Sequence, residues 1–319
     1  MKSSSRLTQG YLICLVGTIL WSSTAVFIRY LTENYALPPL ILAFWRDAFT
    51  AVALASALFF TNRARLWPGR QHLRFLLLYG FVLSIFNALW TVSVALNGAA
   101  VSTVLAYSSA GFTAILGWRY FGEKLGGWKV LAVSASLLGC AFVSGAYDLA
   151  AWQLNPVGIL TGLLSGLAFA AYSLLGKAAA ERAIYPWTTL LYTFAGAAGF
   201  LLLYNFLPFA GASIPGDLLW LGDSALGWTV LLLLALGPTI GGYGLYTVSL
   251  GYLPASVANL IATLEPSMTA ILSFLLLGER FTGPQWLGSI LIVAAVVILR
   301  LTEAPSQPAA PLADLTPGS

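Results

Sequence analysis

The chain is one hydrophobic unit written twice. Gly10 to Phe60 lies over Gly158 to Pro208, and Leu89 to Leu131 over Leu245 to Leu287, with gaps confined to one loop. The pairing preserves residue character: Arg29 falls on Lys177, Pro38 on Pro186, Thr91-Val92-Ser93 on Thr247-Val248-Ser249, and Gly122-Glu123-Lys124 on Gly278-Glu279-Arg280. About 15 of 43 positions agree in the second stretch, too many for two unrelated apolar segments, so the unit is duplicated.

Apolar residues make up 59% of the chain and charged residues 8%, whereas a soluble domain carries about a quarter charged residues. A helix needs about 18 or more largely uncharged residues to cross roughly 30 Å of hydrocarbon. Ten such runs occur, at roughly 8–31, 38–60, 73–96, 99–121, 125–146, 156–179, 186–208, 226–252, 255–277 and 282–301. None alternates as a membrane β-strand does. The expected fold is an all-α integral membrane protein of ten transmembrane helices in two five-helix repeats, 7–146 and 155–301. Residues 302–319, rich in Pro and Ala, are expected to be a disordered cytoplasmic tail. An odd number of spans per unit makes the second copy enter the membrane from the opposite side, so the repeats are inverted, the architecture of alternating access. The first span is too long for the core of a signal peptide and is read as retained. Cys14 and Cys140 lie inside spans and read as small apolar residues, and no metal-ligand spacing or cofactor motif occurs.

Basic residues set the orientation. With a cytoplasmic N-terminus, Lys2, Arg6, Arg63, Arg65, Arg70, Arg74, Arg119, Lys124, Lys129, Lys177, Arg182 and Arg300 fall on that side, against Arg29 and Arg280 on the other. Twelve against two satisfies the positive-inside rule and places both termini in the cytoplasm of a cell-membrane protein. The net charge of +4 then reports topology and gives no reason to expect nucleic acid as a partner. A segment of about eight extra residues in the second copy, with Asp217, Trp220 and Asp223, is expected on the outer side, with Trp220 as interfacial anchor.

Charged groups at membrane depth carry the sharpest signal, because each costs at least about 2.5–3.5 kcal/mol unless it faces protein or water. Glu265 lies about 16 Å into the ninth span and Arg46 about 12 Å into the second, at 1.5 Å per residue. Pro266 removes an amide donor just after Glu265. Asp47 adjoins Arg46, but neighbours on a helix point about 100° apart, so an Arg46 to Glu265 pair across the bundle is the expectation. A structural ion pair and a transport site are both open at this point. Trp21, Asn87, Trp90, Tyr107, Tyr172, Tyr243 and Tyr246 fall towards mid-span, with Asn259 shallower, where an interfacial belt would not put them. As a set converging on Glu265 they predict a pocket at the midplane. Gly158, Gly162 and Gly166 predict close helix packing. Gly237-Pro238 and Gly241-Gly242-x-Gly244 predict a kink in the eighth span. Gly122 and Gly278 read as helix ends, with Glu123 and Glu279 before the positive end of the following helix.

These features together resemble the EamA family of the drug/metabolite transporter superfamily. They are ten spans in two units, Trp21-Ser22 in the first helix, Arg46 in the second, Glu265-Pro266 in the ninth, and the Gly-Glu turns after the fourth and ninth. The resemblance covers about Leu7 to Leu301. It implies a central cavity between the halves, peripheral fifth and tenth helices, and transport of small organic solutes, often outward. Ser109-Ala110 stands where the second unit has Glu265-Pro266, so the fourth helix lacks the family's common proline, and with it the reason to expect a kink.

The leading functional expectation is a secondary transporter of small metabolites, such as amino acids or amphipathic and cationic compounds. Its partners would be the substrate, the lipid bilayer and protons as coupling ion, with a homodimer as a further expectation. A membrane-embedded lipid-modifying enzyme is the alternative, for which the acidic and histidine inventory is sparse. The orientation has a direct check. Cysteines placed at Asp148 and Asp223 are expected to react with an impermeant thiol reagent from outside, and one at Arg65 is not; reaction at Arg65 would overturn the topology.

Overall fold

A computed structural model describes residues 2–148, 155–207, 218–277 and 282–302. The tail after Thr302, Asp217 and the Gly278-Glu279-Arg280 turn lie outside the described residues. The chain is helical throughout, with no strand among the described residues. Ten segments are long and apolar enough to cross a membrane: Arg6–Tyr35, Pro39–Thr61, Arg70–Val94, Val101–Phe121, Gly127–Ser144, Pro156–Glu181, Pro186–Tyr204, Ala225–Ser249, Ala255–Leu272 and Gly283–Thr302. These are taken below as the first to tenth spans. This is a multi-pass membrane protein.

Helical backbone is continuous from Arg70 to Tyr107, yet the hydroxyls of Ser93 and Ser102 are hydrogen-bonded at 2.8 Å. Nine residues of straight helix cover about 13.5 Å, so the chain must reverse between the third and fourth spans. The second span packs on the seventh, and the fifth on the tenth. The first packs on the eighth and ninth as the sixth packs on the third and fourth, so exchanging the two halves leaves the pattern unchanged.

Glycine permits the closest of these contacts. A Cβ on Gly162 would meet Leu105 at 2.6 Å and the Ser93 hydroxyl at 2.7 Å, and Ser93 donates to the Gly158 carbonyl at 2.8 Å. The expected smooth face is thus the seam between the sixth span and the third and fourth. A Cβ on Gly242 would meet the Cβ of Trp21 at 2.8 Å. That glycine belongs to a π-helical turn, Ala235–Tyr243, which contains Pro238. Proline has no N–H for the carbonyl of Leu234, and the Thr239 hydroxyl donates to that carbonyl at 2.8 Å. The irregularity expected in the eighth span therefore takes the form of a π segment.

The Gly-Glu turn after the fourth span corrects one expectation. Gly122 does end its helix in the left-handed conformation, at φ 63°. Glu123, however, reaches into the other half and caps the ninth span. Its carboxylate accepts the Ala255 N–H at 2.9 Å and the Ser256 hydroxyl, and Lys129 Nζ stands 3.5 Å away while donating to Ser256 at 2.9 Å. Gly117 leaves room for this, since a Cβ there would meet Glu123 Cδ at 2.8 Å. An acidic group on unsatisfied N-terminal amides is stabilising wherever the amides belong, and sequence proximity favoured the wrong helix. Replacing Glu123 by Ala should lower stability in detergent by about 1–3 kcal/mol, read as a drop in unfolding temperature. No drop would mean that the cap is ornamental.

Candidate substrate site where broken helices meet

Three spans break at one level of the bundle. The first is interrupted at Ser23, between helices Lys2–Ser22 and Thr24–Tyr35. The fourth is interrupted at Ser108, and the ninth at Thr263 and Leu264, between Ala255–Ala262 and Glu265–Leu277. In the repeat register Ser108 corresponds to Leu264, so both members of the pair break at the same place. The fourth span does so without a proline, contrary to what its sequence suggested. Glu265 opens the helix after the ninth-span break, on its positive end.

The breaks are tied to one another. The Tyr107 hydroxyl donates to Glu265 Oε2, joining the last residue before the fourth-span break to the first after the ninth-span break. Thr269 donates to the carbonyl of Ser22 at 3.0 Å, which the first-span break leaves open. Ser136 donates to the Thr263 hydroxyl at 2.6 Å. Broken helix in a membrane protein is tolerated where other groups re-satisfy the backbone in this way.

Arg46 does not meet Glu265, and the expected pair across the bundle is corrected. Arg46 Nε donates to Asp47 Oδ1 at 3.0 Å, and Nη2 lies 3.0 Å from the same oxygen without hydrogen-bonding geometry. Asn87 donates to the other carboxylate oxygen at 3.2 Å. The 100° between adjacent side chains separates their Cβ atoms, but an arginine is long enough for its head to swing back across the helix surface. Asn87, a sequence candidate, thus holds Asp47 from the third span.

The aromatic candidates do converge. Trp21 packs on Tyr243 with ring centroids 4.3 Å apart, and on Phe169 and Tyr246 at 5.7 and 6.0 Å. Tyr172 lies parallel to Phe169 and edge-on to Tyr243, each at 5.8 Å. Its hydroxyl faces those of Tyr79 and Thr247, and all three are buried without closing a hydrogen bond. Trp90 is half-buried and takes no part in these ring contacts among the described residues. Asn259, the shallower of the candidates by span depth, is fully buried. It accepts from Ser109 at 3.1 Å and donates to Ser173 at 3.0 Å, and the hydroxyls of Ser173 and Tyr246 are hydrogen-bonded at 2.7 Å. One amide therefore ties the fourth, sixth, eighth and ninth spans. Phe169 and Phe194 were not singled out from sequence, although the repeat register marks them as the counterparts of Trp21 and Arg46.

Comparison with known proteins agrees with this geometry. The profile of the EamA-like transporter family matches residues 8–145 and again 156–301. An uncharacterized inner membrane transporter of Salmonella typhimurium, YicL, is 24% identical over 299 residues, covering 92% of this chain and 95% of the relative. A probable amino-acid metabolite efflux pump of Escherichia coli is 26% identical, covering 90% and 93%. A solved crystal structure shares the fold at TM-score 0.74 and 17% identity, covering 92% of this chain and 97% of that one.

The Arg46–Asp47 pairing is testable by a double-mutant cycle. Arg46→Gln alone should cost about 3–5 kcal/mol by stranding a buried carboxylate. Adding Asp47→Asn should recover most of that stability, whereas adding Glu265→Gln should recover none. Recovery with Glu265→Gln in its place would restore the cross-bundle pair.

Proposed function

Because the chain belongs to the EamA-like transporter family, we propose that it is a secondary transporter exporting small organic metabolites across the cell membrane. Alternating access would take place around a midplane aromatic cavity, with both termini cytoplasmic. The observation that carries this reading is the hydrogen bond from Tyr107 to Glu265, which joins helix breaks contributed by the two halves. A carboxylate at such a junction sits where two inverted repeats would part on one side and close on the other. In a conformation that parts the halves, Trp21 and Tyr243, packed on each other here, would supply surface for an apolar or cationic body. The name carried by the Escherichia coli relative supports amino acids or their derivatives as the class.

Glu265 is the group assigned to proton coupling, and the energy source in this reading is the proton gradient. One oxygen is held by Tyr107, a neutral donor, so loss of the negative charge leaves no cation unpaired at that contact. Glu265→Gln preserves shape and removes the exchangeable proton. In proteoliposomes, export driven by a pH gradient should fall to background for this variant, while exchange of substrate for substrate continues and the unfolding temperature stays near that of the unaltered protein. Retained gradient-driven flux would remove Glu265 from the coupling step. A collapse of stability without a specific coupling defect would make it a structural residue.

A further inference from the structure

The connection between the second and third spans holds Arg63, Arg65, Arg70 and Arg74, and no acidic residue occurs anywhere between Asp47 and Glu123. It lies at the membrane face that also carries Arg6 and Arg300. Its short 3-10 turn, Arg63–Leu66, crosses the start of the seventh span. There the Thr188 hydroxyl donates to the Arg65 carbonyl, and the Arg65 guanidinium stands 4.0 Å from the ring centre of Tyr185. Arg182, just past the sixth span, stands 4.4 Å from the ring centre of Phe75, the neighbour of Arg74. Arg63 stands 3.8 Å from that of Phe59. Four span ends thus bring these arginines to one corner of the bundle.

Charge at this corner is uncompensated. Among the described residues the ion pairs are Arg46 with Asp47 and Lys129 with Glu123, so none of the corner arginines is paired with a carboxylate. Arg63 and Arg182 each donate to a backbone carbonyl four residues back, which leaves most of the five N–H groups of each fork open. Orientation in the membrane requires only positive charge near a span, and lysine supplies that equally. Here every position is arginine, whose planar fork matches phosphate oxygens, and stacking on rings holds three of the heads in place. The surface beside them is apolar. Phe60 is 83% exposed and Trp67 59%, and Leu77 and Leu78, about one turn along the third span from Arg74, are exposed as well. An exposed indole at a span end lies at headgroup level, and leucines one turn deeper lie against acyl chains.

We propose that this corner is a binding site for an anionic phospholipid of the leaflet it faces. The phosphodiester lies among the guanidinium groups, Trp67 sits beside the headgroup, and an acyl chain runs down the third span along Leu77 and Leu78. A free phosphate meets the same forks but makes no use of the exposed apolar surface below them. A zwitterionic lipid brings a cation of its own into the cluster, which the arginines repel. Because Arg65 and Arg74 belong to the first half and Arg182 to the second, one headgroup touching them bridges the two repeats.

The test is native mass spectrometry of the purified, delipidated full chain, titrated with dioleoyl phosphatidylglycerol or with dioleoyl phosphatidylcholine, which has the same chains. Each arginine near an anionic lipid contributes about fivefold in affinity, so the unaltered protein should bind the first phosphatidylglycerol at least about tenfold more tightly than phosphatidylcholine. Arg65→Gln with Arg74→Gln should remove most of that preference. Arg119→Gln with Lys124→Gln, which takes the same charge from another corner of the same face, should leave it unchanged. Equal affinity of the unaltered protein for the two lipids overturns the site without recourse to any variant. An equal loss in both double variants overturns it in favour of diffuse attraction to the whole face. Displacement of phosphatidylglycerol by millimolar inorganic phosphate overturns the lipid as occupant and gives the cluster to the free anion.

Discussion

The hydrogen bond between Tyr107 and Glu265 is the contact on which the centre of this protein depends. Each helix break releases carbonyl and amide groups that hydrocarbon cannot solvate, so a single break inside a bilayer has no stable place to lie. Two breaks set against each other do. The fourth and ninth spans interrupt at corresponding positions, the first interrupts beside them, and Tyr107, Thr269 and Ser136 supply the bonds that hold the three together.

Close packing around the breaks depends on what the glycines omit. Gly162 on the sixth span and Gly242 on the eighth each bring a neighbouring helix to a distance that any side chain would forbid. The eighth span reaches Trp21 through a π segment that rotates Tyr243 and Tyr246 relative to a regular helix. Trp21 and its repeat counterpart Phe169 touch each other. The aromatic cluster is therefore the place where the halves meet, and Asn259 stiffens it from within by bonding to two other spans.

Much of the fold was legible in the sequence because it follows from local rules. Span positions come from uninterrupted apolar length, and the Gly122 helix end from the left-handed conformation that glycine adopts freely. The aromatic convergence was legible too, since mid-span tyrosines and tryptophans need an environment that lipid does not offer. Partners were not. Arg46 was assigned to Glu265 on helix angles alone, and the reach of its own side chain brought it back to Asp47. Glu123 was assigned to the helix next in sequence and caps one more than a hundred residues away. Both errors concern which of several chemically equivalent partners a flexible side chain selects, and that choice is decided by tertiary packing. The break at Ser108 escaped for a related reason: with no proline to announce it, only its correspondence to Leu264 in the repeat pointed to it.

The duplicated halves no longer carry the same chemistry at corresponding positions. Arg46 answers to Phe194, Asp47 to Ala195, and Glu265 to Ser109. A site with both its charged poles on one half would move as a rigid unit, and its ligand would be indifferent to how the halves are arranged. Here Arg46 and Asp47 stand in the first half and Glu265 in the second, with Tyr107 of the first half holding Glu265. In the transport reading, a ligand touching both poles interacts differently with each arrangement of the halves. Differential interaction is what allows a ligand to shift an equilibrium between conformations. In that same reading, symmetry of the backbone would supply two states of similar energy, and asymmetry of the side chains would let a bound molecule distinguish between them.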